Sequence, residues 1–217
     1  WVIEDRFAAG RPGWDKVGAE LVDDVRPYET AKLRMLNGAH SLLAYCGLAR
    51  GHEHVHEAIA DPELRRLTER LMREEAAPSI TAAPGQDLDG YADALILRFA
   101  NAALGHRLIQ IAMDGSQKVP QRWLETLAFH QRHGRQCPAI LAGLAAWLVH
   151  QRADVRVVDD PRAAELAAVW KACGVSGIVS ALFGAGGLLP SAWNPTEEDT
   201  KLVMQAIQEL DQRHVPH

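Results

Sequence analysis

Four residues in one short stretch could do chemistry together. They are Glu29, Lys32, Asn37 and His40, within Pro27-Tyr28-Glu29-Thr30-Ala31-Lys32-Leu33-Arg34-Met35-Leu36-Asn37-Gly38-Ala39-His40-Ser41. A lysine serves as general acid or base when desolvation or a nearby cation brings its pKa toward neutrality. An asparagine amide donates to a carbonyl oxygen as charge develops there, and an imidazole holds a neighbouring hydroxyl. Glu29 is spaced to relay a proton between Lys32 and water. The stretch reads as a helix: Pro27 suits a first turn, where its missing N–H is no loss, and Glu29 favours the positive end of the dipole. At about 100° per residue the four side chains fall within an arc of roughly 140°. At about 1.5 Å per residue, Lys32 and His40 stand roughly 12 Å apart along the axis. A straight helix thus suits a substrate lying along it rather than one atom held by both. A helix whose polar face is merely solvated fits the same spacing.

Asp114-Gly115-Ser116-Gln117-Lys118-Val119-Pro120 reads as a polar loop between two helices, the kind of segment that carries binding groups on a rigid scaffold. Lys118 and Gln117 are its candidates for holding hydroxyls or an anionic group. An ordinary helix–loop–helix connection has the same composition. His52, His54 and His56 alternate, yet on a helix only His52 and His56 share a face, and no cysteine or carboxylate completes a zinc set. No metal site is expected. Gly184-Ala185-Gly186-Gly187 lacks the G-x-G-x-x-G spacing of a dinucleotide loop and follows no clear strand, so it reads as a helix stop.

The elements that must position these groups are helical. The key helix should run from Pro27 to Arg50 and stop at Gly51 in a left-handed cap. A short helix follows through His56–Ile59. Asp61-Pro62-Glu63 then opens another, with Leu64, Leu67, Leu71 and Met72 as its apolar stripe. Residues 76–90 read as a loop, 88–104 as a helix, 106–113 as a short apolar turn and 121–133 as a further helix. Pro138 starts an unusually apolar helix over Ala139–Val149, expected at the centre of the core. A loop over 153–160, helices over 162–173 and 176–183, and a last helix from Thr196 to His214 complete the chain. Thr196 with Asp199 resembles a capping box. Val17–Val25 could hold one short strand. The fold class is all-α, as one domain over 1–217.

Acidic residues number 28 against 23 Lys and Arg, a net charge of −5, which argues against a general nucleic-acid binder. No apolar run is expected to reach the length of a membrane span. The three cysteines, Cys46, Cys137 and Cys173, are odd in number and widely spaced, and read as reduced thiols of a cytoplasmic protein. The opening Trp1-Val2-Ile3-Glu4-Asp5-Arg6-Phe7 reads like the middle of a longer polypeptide.

The Lys32-x4-Asn37-x2-His40 helix resembles the catalytic stretch of the long-chain mannitol dehydrogenase family, which includes mannitol 2-dehydrogenases and fructuronate reductases. The resemblance extends to Trp1–Phe7, Gly10-Arg11-Pro12, Asp24-Val25-x-Pro27-Tyr28-Glu29 and Asp114-Gly115-Ser116-x-Lys118, in that order. It implies a multi-helical C-terminal domain like that of 6-phosphogluconate dehydrogenase, and an N-terminal Rossmann domain, outside these residues, that binds NAD or NADP. It also implies Lys32 as general acid/base, Asn37 polarising the carbonyl, His40 positioning a substrate hydroxyl, Glu29 on the proton path and Lys118 against the substrate, with no metal. Gln110 stands where some members carry Arg, and the run Gln110–Lys118 is more similar to the fructuronate-reductase side. A uronate would need a cation for its carboxylate, for which Lys118 and Arg107 are candidates. The implied substrate is a polyol, ketose or uronate. The isolated domain is expected to be inactive. The alternatives are a non-catalytic helical domain binding a ligand or a protein partner and, more remotely, a metal-binding helical protein using the three histidines.

Overall fold

The structure, a computed structural model, describes residues 1–152 and 157–213. Its centre is one long helix in three stretches: α1 (Arg26–Ala31), a widened π turn over Lys32–Asn37, and α2 (Gly38–Ala49). Its start, its end and the left-handed Gly51 (φ 84°) fall where the sequence places them. The widened turn has no counterpart in the periodicity argument. From Ser41 to Leu48 every α2 residue is buried, so α2 is a core helix rather than a half-exposed one. α9 (Pro138–His150) packs along α2 and is buried from Ala139 to Leu148 apart from one side at Ala142, in the central place expected of it.

Around this pair lie α3 (Val55–Ala60), α4 (Pro62–Arg70), α5 (Leu88–Phe99), α6 (Leu108–Ala112), α7 (Gly115–Val119), α8 (Glu125–Arg132), α10 (Ala163–Phe183) and α11 (Glu197–Arg213). Asp61 caps α4 by accepting the N–H groups of Glu63 (2.8 Å) and Leu64 (3.2 Å). Thr196 and Asp199 exchange two 3.1 Å bonds at the start of α11, the reciprocal box read from their spacing. His54 and Glu57 form a similar box at α3, which gives the histidine run a structural use.

Several expectations are corrected. The loop expected over 114–120 is helical: Asp114 turns the chain at φ 55°, α7 follows, and a second widened turn at Pro120–Leu124 leads into α8. The helix expected to reach residue 104 stops at Phe99, where Asn101 caps a separate short turn. Two short strands, not one, pair in parallel near the start: β1 (Val2–Glu4) with β2 (Glu20–Val22). The two helices expected over 162–183 join into α10 through a kink at Gly174 (φ 58°). Its 21 residues are long and apolar enough to cross a membrane by length and composition, contrary to the reading that no run is. Leu166, Trp170, Ile178, Val179, Leu182 and Phe183 are nevertheless buried in the protein core. The loop expected over 153–160 and the end of the last helix lie partly outside the described residues.

A third widened turn, Leu71–Ala76, carries Glu75, which is 2% exposed. Its two carboxylate oxygens accept the N–H groups of Ala139 and Ile140, each at 2.8 Å, and so cap α9 from another part of the chain. Burial pushes the Glu75 carboxyl up to about 7, against the pull of those N–H groups and of Arg70. The folded value lies above the ordinary glutamate one. Stability from this group is therefore complete below the unfolded pKa and lost as pH rises through about 7. Urea midpoints of the wild type should fall relative to those of Glu75→Gln as pH rises from about 4.5 to about 7.5. Parallel midpoints would contradict this role.

Candidate active-site cleft

A cleft of about 1010 Å³ opens beside the first half of the central helix, between the N-terminal strands and α5. Glu29 and Lys32 line it, with Tyr28, Leu36, Tyr91 and Arg98. Both Glu29 and Lys32 are exposed. The desolvation anticipated around Lys32 is thus absent from this chain, and only an element covering the cleft could supply it.

Asn37 and His40 are not among the residues that line this opening. The widened turn adds backbone between Lys32 and Asn37, so the regular 100° step does not carry through. Half-buried His40 packs against Phe99 of α5, ring centroids 4.8 Å apart, and lies 6.0 Å from His106. Its Nε2 is buried with no hydrogen-bond partner among the described residues. Burial first, then His106, Arg122 and Arg98, push its pKa down to about 4, so the ring is neutral near pH 7.

Arg122, from the second widened turn, ties the inner wall together. Its Nη1 donates to the Asn37 carbonyl (3.3 Å) and to Ser41 Oγ (2.8 Å). The indole N–H of Trp123 donates to the Gly38 carbonyl (3.2 Å). Burial lowers the pKa of Arg122. Lys118, one helical turn before it, donates to the Ile111 carbonyl (3.3 Å) and lies 3.9 Å from Asp114. Desolvation and then Arg122 lower the pKa of Lys118. α7, which carries Lys118, is fixed by Asp160, whose carboxylate accepts from the Ser116 N–H (2.7 Å) and hydroxyl (2.6 Å). Gly115 permits close approach, since a Cβ there would collide with Trp147 Nε1 and Tyr45 Oη.

Lys118 is held by the Ile111 carbonyl and Asp114, four residues before the Arg122 that bonds the Asn37 carbonyl and Ser41. Gln110, Gln117 and Arg107 are exposed, and none of the three lines the cleft. The Arg107 backbone pairs with His54 instead. Among the described residues no three His, Cys, Asp or Glu side chains gather as a metal set. Arg98, Arg122 and Asp160 were missed. Arg122 lies four residues after Lys118, a helical spacing that could have flagged it, whereas Asp160 is 44 residues from Ser116 and has no local signal.

Residues 24–175 match the model of the mannitol dehydrogenase C-terminal domain. The chain is 41% identical to D-mannonate oxidoreductase of Escherichia coli K12 over 98% of its own length and 45% of the relative's. It is 41% identical to the polyol:NADP oxidoreductase of Gluconobacter oxydans over 68% of this chain and 30% of that one. Among solved structures it is similar to Pseudomonas fluorescens mannitol 2-dehydrogenase in ternary complex with NAD and D-mannitol, with a TM-score of 0.85 and 30% identity. That match covers 98% of this chain and 44% of the other. A substrate-free D-sorbitol dehydrogenase matches with a TM-score of 0.86, 30% identity and the same coverage. The chain belongs to the mannitol dehydrogenase C-terminal domain family, and it spans less than half the length of these relatives.

The environment of His40 has a direct consequence. Its ring resonances should titrate near pH 4 in the NMR spectrum of this chain, with no inflection near the ordinary histidine value. A midpoint at or above about 6 would contradict the burial described.

Proposed function

We propose that this chain supplies the substrate-binding and catalytic groups of a nicotinamide-dependent oxidoreductase. The enzyme would interconvert a secondary alcohol of a polyol or sugar acid with the matching ketose or keto-uronate. The observation that carries the reading is Lys32, exposed on the wall of a cleft larger than a six-carbon sugar needs, in a chain of this family. A non-catalytic binding domain would fit a buried or partner-blocked Lys32 with no cleft beside Asn37 and His40; the exposure of Lys32 on the cleft counts against that reading, while Asn37 and His40 are not among the residues that line it.

In the oxidative direction the hydroxyl proton passes to the Lys32 amine while hydride leaves the same carbon, and the carbonyl forms. The Asn37 amide donates to the oxygen as charge develops, and the Arg122 bond to the Asn37 carbonyl fixes that residue. Neutral His40, with its free Nε2, bonds an adjacent substrate hydroxyl. Glu29, on the same cleft wall, passes the proton from Lys32 to water. Lys118 holds a further substrate group beyond Arg122. These roles call for no metal.

NAD or NADP supplies the hydride acceptor. No G-x-G-x-x-G run occurs in the sequence, and among the described residues the one sheet is the two-stranded β1–β2 pair. The dinucleotide is therefore assigned to an N-terminal Rossmann domain of a longer protein, closing over the cleft and drying Lys32. This chain by itself should show no turnover with NAD(H) or NADP(H). In the two-domain protein, Lys32→Ala should lower kcat by about 10²–10⁴-fold. Near-wild-type turnover of that variant would overturn the assignment.

A further inference from the structure

We propose that residues 1–23, with strands β1 and β2, are the surface on which the dinucleotide-binding domain docks, extending its parallel sheet, and that the helical body of this chain starts at Asp24. The proposal rests on the oxidoreductase reading and deepens it by naming the surface that the second domain covers. No residue before Ala31 is buried, whereas every helix from α2 to α11 contributes buried side chains. Trp1 is 92% exposed and Val17 83%, with Phe7 and Val2 also exposed. These four are most of the exposed large hydrophobic side chains among the described residues, and all stand within the first 17 positions. Such a concentration of apolar surface marks an interface. The Phe7 ring meets only the half-exposed Trp14, 5.6 Å away, so the crossover between the strands builds no core of its own.

The strands themselves are unfinished. A parallel sheet is normally covered on both faces, and two strands alone are marginal in water. Glu20 N–H donates to the Trp1 carbonyl (2.7 Å) and Asp5 N–H to the Val22 carbonyl (2.9 Å). Positions 1 and 5 thus turn their backbone groups to β2, and Val2, by alternation, turns its own to the outer edge of β1. A further parallel strand fits that edge, and dinucleotide-binding domains are built on parallel sheets. The match to the family's C-terminal domain begins only at residue 24, although the alignment with D-mannonate oxidoreductase takes in 98% of the chain. Residues 176–217 also fall outside that match, yet Ile178, Leu182, Phe183, Trp193, Val203 and Ile207 are buried in this core. Residues 1–23 share the first property without the second. A second copy of the chain would cover the same apolar side chains, but it would bring no hydride acceptor to the cleft that Trp1, Val2 and Ile3 line together with Lys32. The junction is tied on both sides of its turn: Glu20 accepts from the Tyr28 hydroxyl (2.9 Å), and the Asp24 carboxylate holds the Arg26 N–H (2.9 Å) and guanidinium (2.7 Å). The sheet therefore sets the direction from which the helix carrying Lys32 meets the cofactor.

The test is hydrogen exchange of the two-domain protein, followed by mass spectrometry, with Trp1→Glu and Val17→Glu beside wild type. In the wild type, the amides of residues 2–5 and 20–22 should be protected and should open together with the sheet of the dinucleotide domain rather than with α2 and α9. Each variant should speed their exchange at least about tenfold and leave α2 and α9 unchanged, and Trp1→Phe should behave as wild type. Turnover of a polyol with NAD⁺ or NADP⁺ should fall in both Glu variants through kcat, with the polyol KM near the wild-type value. Wild-type amides at 2–5 and 20–22 that exchange like an open loop, or that open with α2 and α9, would overturn the proposal. So would Glu variants that match the wild type, and in each case retained turnover leaves the oxidoreductase reading standing. A wild-type dimer in light scattering that the Glu variants split, with turnover kept, would also overturn it and assign the face to a second copy. Failure of the wild type to turn over any polyol, ketose or keto-uronate would overturn the oxidoreductase reading, and with it the role given to the docked domain.

Discussion

The widened turn at Lys32–Asn37 is the constraint on which the site depends. A π turn is less well bonded than an α turn and persists where tertiary contacts hold it. Here Arg122 and Trp123 reach the carbonyls of Asn37 and Gly38 from a second widened turn. From the other side Arg34 donates to the Ser79 carbonyl (2.6 Å) and pairs with Glu125. The turn at Leu71–Ala76 packs against the same segment. Lys32 lines the open cleft at the start of this turn, and half-buried His40 follows it in α2.

Burial then gives the two halves different chemistry. Lys32 and Glu29 remain where solvent and a substrate can reach them, while burial above all keeps His40 neutral, helped by Arg122 and Arg98. The inner wall is rigid because α2 and α9 are buried on nearly every side, and Glu75 closes the N-terminus of α9. Rigidity at His40 and access at Lys32 are what a sugar hydroxyl chain requires when one carbon reacts and the next must be held.

Much of this was legible in the sequence, for identifiable reasons. Local signals did well: the Asp61–Pro62 start, the Thr196–Asp199 box, the Gly51 stop and the apolar Ala139–Val149 run depend on neighbours within a few residues. The family resemblance rests on motifs within the first 120 residues, inside or beside the matched span. What stayed hidden is long-range. No periodicity announces a π turn, and the Arg122 that braces it lies 85 residues beyond Asn37. The 114–120 segment looked like a loop from its Gly, Ser and Pro content, yet Asp160 and the close packing of Gly115 on Trp147 make it helical.

The most direct measurement is a crystal structure of the two-domain protein with nicotinamide cofactor and a bound sugar alcohol. The account predicts Lys32 Nζ about 3 Å from the reacting hydroxyl oxygen, with the nicotinamide on the opposite face of that carbon. It also predicts His40 Nε2 bonded to the neighbouring hydroxyl and the Arg122–Asn37 bond intact. A substrate seated elsewhere, with Lys32 more than about 6 Å from its reacting oxygen and still solvated, would contradict it.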